Sequence, residues 1–284
     1  MRSGVVITLL CSVVFLFDPF RAATAGDVLS FGVNPHRSVA LTAEYWNPIL
    51  TYVSRKSGVK LEMKMEKTGQ EYSLKVGQGA YDFAYTNHVF NPVNAKVGYS
   101  VFARPNDDTI KGEVVVLESS PVRKMEELNG AEVGFPSKAA FVAYAVTMDA
   151  LLRKGVTVKP VFGGTQEGIM TQLKAGKVVA AGVNSQIMRD FAARENFRYR
   201  ILWQSQEFLN LPLVAHPRVP AKTVAAVRKA MIEMHNDPEG LKILKASAAL
   251  IGQKPPYGFE PSSNREYQNQ WDFFKTTVVP ELKK

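Results

Sequence analysis

The chain has 284 residues, 35 Lys and Arg against 26 Asp and Glu, and a formal net charge of +9 at pH 7. Hydrophobic residues make up 46% and charged residues 21%, a composition that fits a soluble globular protein. The positive residues are dispersed, as in Lys56, Lys60, Lys64, Lys67 and Lys75, with no dense basic tract, so a nucleic-acid partner is not expected and a solvated surface is.

The first element is an export signal. Arg2 precedes the uncharged apolar run Val5 to Phe17, which is too short for a comfortable membrane span. Ala23-Thr24-Ala25 then gives the small-x-small pattern of a signal peptidase site, so residues 1–25 are predicted to be a signal peptide and the mature chain to begin at Gly26. Cys11, the single cysteine, lies inside the run behind Leu10, where a lipoprotein signal would place a small residue. The mature chain is therefore expected to have no disulfide, no thiolate nucleophile and no cysteine metal site.

Next comes a unit that is written twice. Phe31-Gly32-Val33-Asn34-Pro35 reads as a strand entering a Pro loop, and Trp46, Leu50 and Val53 follow at helical spacing. Gly58 stands behind Arg55-Lys56, where a helix needs a C′ residue with positive φ and favours basic neighbours. A short apolar segment, Val59 to Met65, leads into the polar Thr68-Gly69-Gln70-Glu71. A second helix ends near Gly79, and Tyr81 to Tyr85 reads as a buried strand. The order returns with Val133-Gly134-Phe135-Pro136-Ser137, then Phe141, Ala145, Met148 and Leu152, then Gly155. Val156 to Phe162, Gly163-Gly164-Thr165-Gln166-Glu167, Gly176 and Val178 to Val183 complete it. Gly58 to Gly79 and Gly155 to Gly176 both span 21 residues, and both pairs are offset by 97. Two β-loop-α-β-loop-α-β units predict an α/β protein of two similar lobes, each a mostly parallel sheet flanked by helices, with a ligand cleft between them.

Enzyme motifs are missing. The sequence has no G-x-S-x-G, no G-x-x-x-x-G-K-[ST] and no H-E-x-x-H, and Gly163-Gly164 lacks the Lys-Ser/Thr that grips a nucleotide phosphate. His36, His88, His216 and His235 are far apart with no ligand spacing. Such histidines are more often surface or capped residues. His36 and His88, however, fall just after strand ends of lobe one, which is the ligand-binding edge of an open α/β sheet. Neither a catalytic residue nor a metal or other cofactor is expected.

Several segments together resemble a known family. They are Tyr45-Trp46-Asn47-Pro48-Ile49-Leu50-Thr51-Tyr52-Val53, Tyr81-Asp82-Phe83-Ala84-Tyr85 and Met125-Glu126-Glu127-Leu128-Asn129-Gly130, with Gly164-Thr165-Gln166-Glu167 and Asp237-Pro238-Glu239-Gly240. With the signal peptide, they resemble the phosphate, phosphite and phosphonate-binding proteins of ABC transporters, of the type II periplasmic binding fold. The resemblance implies a discontinuous lobe one, residues 26–115 plus 212–284, and a lobe two inserted as 116–211. Glu113 to Leu117, a Val-rich strand, and Ile201 to Pro212 are then the expected crossovers, and Val224 to Met234 and Tyr267 to Leu282 helices packed back on lobe one.

The departures fall at the ligand loops. The family's Ser-Thr-Ser-Gly run is here Pro136-Ser137-Lys138-Ala139-Ala140, a frequent family His is Gln166, and an aromatic is replaced by Thr68-Gly69-Gln70 with Tyr72 near it. Thr86-Asn87-His88 stands where an aromatic and glycine are usual, and Asn184-Ser185 where acidic residues are common. Strand-end geometry gathers Asn34 and His36, Thr68, Gln70 and Tyr72, Thr86 to His88, Ser137 and Lys138, Thr165 and Gln166, and Asn184 as candidate ligand residues. For an anion, Ser137 and the amides after it supply neutral donors and Lys138 a charge; otherwise Ser137 is a plain N-cap and Lys138 a solvated side chain. The expected function is a periplasmic solute-binding protein, a monomer, that closes on a small anionic or polar ligand. It presents that ligand to an ABC permease or a sensor kinase. An enzyme on the same scaffold is the alternative.

Overall fold

A computed structural model describes residues 28–106 and 109–283 of the chain. The expected signal peptide, its cleavage after Ala25 and Cys11 lie outside the described residues.

The repeat is built as the sequence implies. The first unit is β1 (Leu29–Val33), α1 (Val39–Ser57), β2 (Leu61–Lys64), α2 (Gly69–Gly77) and β3 (Phe83–Tyr85). Two strands, β4 (Ser100–Pro105) and β5 (Gly112–Leu117), connect it to the second unit. That unit is β6 (Glu132–Phe135), a π-helical segment Phe141–Val146 continuing as α3 (Thr147–Arg153), β7 (Lys159–Phe162), α4 (Gln166–Lys174) and β8 (Ala180–Asn184). Gly58 and Gly155 both adopt φ 71°, and Gly79 and Gly176 adopt 67° and 68°, a region that costs a side chain but not glycine. Thr68 and Thr165, also 97 apart, cap α2 and α4 by accepting from Glu71 N and Gly168 N at 3.1 and 2.9 Å. The remaining elements are α5 (Ser185–Arg194), β9 (Tyr199–Gln204), β10 (Leu213–Ala215), α6 (Ala221–Ile232), α7 (Pro238–Ile251), β11 (Phe259–Pro261) and α8 (Gln268–Thr276).

Two sheets result, ordered β11-β4-β10-β3-β1-β2 and β7-β6-β8-β5-β9. Pairing is parallel within the repeated units, β2-β1-β3 and β7-β6-β8. It is antiparallel where β10, β11, β5 and β9 join, because these strands come from connections rather than from βαβ crossovers. Phe31, Ile49, Val53 and Phe83 are fully buried between the first sheet and α1. Val114, Val133, Phe135 and Leu151 are fully buried in the second lobe. Each such side chain contributes about 1.5–3 kcal/mol by leaving water.

Two expectations are corrected here. Glu113 to Leu117, expected as a crossover, is β5, paired on both edges inside the second sheet. The passage between sheets comes earlier, before Gly112, and the return runs through 205–212, where Ile110 and Phe208 exchange backbone hydrogen bonds of 2.7 and 2.8 Å. Nor does the C-terminal stretch stay on lobe one. Tyr267 stacks on Phe90 of lobe one at 4.9 Å, but Phe273 and Phe274 pack on Phe141 of lobe two at 5.3 and 5.6 Å. Beyond α8, the Asp149 carboxylate accepts from Thr277 Oγ1 (2.9 Å) and Val278 N (2.7 Å), and Val279 is buried in the second core. Tyr144 donates to Glu281. The tail is thus a strap from one lobe to the other.

The helix that begins at Phe141 seats closely on the second sheet. A Cβ on Gly112 or Gly182 would stand 2.3 Å from the Val142 or Ala143 carbonyl oxygen, so only glycine admits this approach. All six residues of the π-helical segment are buried.

Candidate functional site

The carboxyl ends of β1, β3, β6 and β8 face one another across the two lobes, as parallel βαβ units dictate. The lobes touch there. Gly69 N donates to Gly164 O, and Glu167 N donates to His36 O, both at 3.2 Å. Arg37, in the loop before α1, reaches Asp190 of α5 at 3.4 Å and Glu167 of α4 at 3.8 Å. Between the strand-end loops lies a cavity of roughly 400 Å³ of unoccupied space, part of it open to solvent.

Its electrostatics come from backbone rather than side-chain charge. Among the described residues no Asp, Glu, Lys or Arg lines it. Four helix starts do: Gly69 at α2, Ala140 to Val142 at the π-helical segment, Thr165 and Gln166 at α4, and Asn184 at α5. The first amides of a helix lack intrahelical acceptors and carry the positive end of the helix dipole. Asn184 Oδ1 accepts from Gln186 N and Ile187 N at 3.0 and 3.3 Å, leaving the carboxamide nitrogen as its remaining donor. Ser137 caps nothing: the N-cap is Ala140, without a side-chain bond, and the Ser137 carbonyl accepts from Ala140 N at 3.2 Å. Its hydroxyl turns to lobe one, 2.9 Å from where a Cβ on Gly69 would stand.

Both histidines are neutral at pH 7. Burial pushes His88 down to about 4. Burial, followed by the charge of Arg37 and by His88, pushes His36 down to about 3. His88 is held by its backbone N, which donates to Thr86 Oγ1 at 3.0 Å, and by the Tyr72 ring at 5.6 Å. Two buried polar atoms in this cavity, His88 Nδ1 and Gln166 Oε1, have no hydrogen-bond partner. A buried polar atom in this state costs about 1–3 kcal/mol, so a cavity that keeps two is arranged for a partner from outside the chain.

Of the candidate residues, the cavity brings together Asn34, His36, Asn87, His88, Ser137, Thr165, Gln166 and Asn184. Five lie elsewhere. Thr68 spends its hydroxyl on the α2 cap while Gly69 lines the wall, and Gln70 is exposed. Tyr72 and Thr86 are fully buried behind His88. Lys138 is exposed and lines a neighbouring recess, which shares Asn87, His88 and Phe141 with the cavity and adds Phe274 and Leu282. Sequence reasoning, which named the amides after Ser137, missed Gly69, which contributes backbone, and the apolar wall residues Ile110 and Leu211.

Comparison with known proteins follows the same lines. The family described as ABC transporter, phosphonate, periplasmic substrate-binding protein matches residues 31–267. No curated protein matches the chain by sequence. Among solved structures, a binding-protein component of an ABC phosphonate transporter from Pseudomonas aeruginosa is similar with a TM-score of 0.73 at 13% identity, over 87% of this chain and 85% of that one. PhnD1 from Prochlorococcus marinus, solved with methylphosphonate, gives 0.70 at 15% identity, over 87% and 96%. A Xanthomonas citri protein solved with chloride gives 0.69 at 15% identity, over 90% and 98%. At these identities the structural likeness speaks for the two-lobed fold, and the family match for the rest. The chain belongs to the periplasmic substrate-binding proteins of ABC phosphonate transporters, a family of transport components rather than enzymes.

Proposed function

We propose that the cavity between the lobes binds a tetrahedral oxyanion of the phosphonate, phosphite or phosphate class and that the protein hands it to an ABC permease. The observation that carries this reading is an uncharged cavity onto which four helix starts open. The anion's charge is balanced by dipoles and neutral donors, without a lysine or arginine in the wall. Loss of the family's Ser-Thr-Ser-Gly run is then tolerable, since Ser137 and the amides at Phe141 and Val142 remain. His88 Nδ1 and Gln166 Oε1 would find partners in the ligand's oxygens and in its P–OH proton. Lobes of 28–105 plus 213–276 and of 112–204 would turn about the two crossovers, the bound ligand favouring the closed form. Export with cleavage after Ala25 would deliver the chain to its compartment; N-terminal sequencing of the exported protein checks this, and a mature protein beginning at Met1 refutes it.

Calorimetric titration with methylphosphonate tests the site. A hydrogen bond to a charged group is worth about 1.5–3 kcal/mol, so Ser137→Ala and Gln166→Ala should each weaken binding by about tenfold or more with little change in melting temperature. Unchanged dissociation constants in both variants would remove the assignment.

A further inference from the structure

A second cavity adjoins the first, and Asn34 and His36 line both. It holds roughly 660 Å³ of unoccupied space, part of it open to solvent. Lobe one gives it an aromatic wall: the Trp46 and Tyr85 ring centroids are 5.1 Å apart, and Phe259 stands 6.2 Å from Trp46. Lobe two gives it one face of α5, with Ile187 and Asp190. Like the oxyanion cavity, it is closed by elements of both lobes, so whatever fills it also favours closure.

The charges at its rim decide what fits. Arg37 pairs with Asp190 at 3.4 Å and stands 3.8 Å from Glu167. Arg37 Nε is buried and bonds to no acceptor. Arg189, Arg194 and Lys254 also bear on Asp190. A cationic tail would meet Arg37, and Asp190, the carboxylate in the wall, is already paired with Arg37 and so offers little to a charged tail of either sign. Aromatic faces and the aliphatic side chains of Leu41 and Ile187 instead favour an uncharged, mainly apolar group. His36, neutral and edge-on to Tyr85 with ring centroids 6.4 Å apart, lines both compartments.

We infer that the second cavity takes the organic substituent of the ligand, and that the substrate is an organophosphonate carrying an uncharged, ring-sized apolar group rather than bare phosphate, phosphite or methylphosphonate. This rests on the oxyanion reading of the first cavity. Titrating the full chain with methylphosphonate and with benzylphosphonate tests it. Benzylphosphonate should bind at least tenfold tighter. Leu41→Trp, which fills the second cavity from a half-exposed position on α1, should abolish that preference. If methylphosphonate binds as tightly as benzylphosphonate to the unaltered protein, the inference fails and the oxyanion reading stands. If neither binds, the oxyanion reading falls and takes this one with it. A preference that survives in a natively melting Leu41→Trp also overturns the inference, and should that variant not fold, the ratio for the unaltered protein decides.

Discussion

Arg37 is the residue whose removal should most weaken the closed state without altering the wall of the oxyanion cavity. It leaves lobe one beside His36 and meets two carboxylates of lobe two, Asp190 at 3.4 Å and Glu167 at 3.8 Å. At an effective dielectric constant of about 20, the gross attractions are about 5 and about 4 kcal/mol. Desolvation and side-chain ordering offset most of this. Exposed pairs net at most about 1 kcal/mol, and breaking a buried pair costs about 3–5. The side chains here are 15%, 14% and 17% exposed for Arg37, Asp190 and Glu167, and Glu167 keeps Arg194 at 2.6 Å, so the net value falls between these limits, at about 1.5–2.5 kcal/mol. Arg37→Gln should therefore shift the closed-to-open ratio by about tenfold to seventyfold, and the dissociation constant for methylphosphonate should rise by up to that factor. Calorimetry gives the affinity, and small-angle scattering at saturating and zero ligand gives the compaction. An Arg37→Gln protein with unaltered affinity and unaltered scattering in both states would refute the latch.

Acidification should destabilise the protein through its cleft histidines. Folded His88 and His36 resist protonation down to about 4 and about 3, whereas unfolded imidazoles protonate near 6.5, so the unfolded state binds more protons in between. Melting temperature should fall as pH drops from about 6.5 toward 4, less steeply in His88→Gln; parallel curves would count against the burial argument. Gly69→Ala should weaken methylphosphonate binding with little effect on melting, because its Cβ would stand 2.9 Å from Ser137 Oγ in the other lobe, and adding Ser137→Ala should not weaken binding further by its full single-variant factor. Asp149→Ala leaves Thr277 Oγ1 and Val278 N without their acceptor and should cost about 2–3 kcal/mol of stability, read by urea denaturation; a loss below about 0.5 kcal/mol would mean the strap is not held there.

The repeat was legible because its positions are chemically constrained. Positive φ at Gly58, Gly79, Gly155 and Gly176 leaves glycine in the sequence, and the α2 and α4 caps leave Thr68 and Thr165. Direction and destination were not legible. Val114-Val115-Val116 reads equally as a crossover or as a central strand, since an apolar run carries no information on its neighbours. Phe273 and Phe274 announce burial but not which lobe buries them. At the site, strand-end loops named most of the wall. Lys138, next to Ser137 in sequence, lines an adjoining recess beside Asn87 and His88 rather than the cavity itself. Gly69 contributes only backbone to the wall, which no side-chain pattern records.

The strap also bears on how the lobes would move. Two bodies joined at three points can rotate freely only if those points lie near one line. Here Ile110 of the outgoing crossover, Phe208 and Leu211 of the return and Phe273, Phe274 and Leu282 of the tail all meet around Phe141 in a single apolar cluster. Gathered there, the three connections would let the lobes open about that cluster and would oppose sliding of one lobe over the other. Closure about that cluster would then return the four helix starts to the same mutual placement.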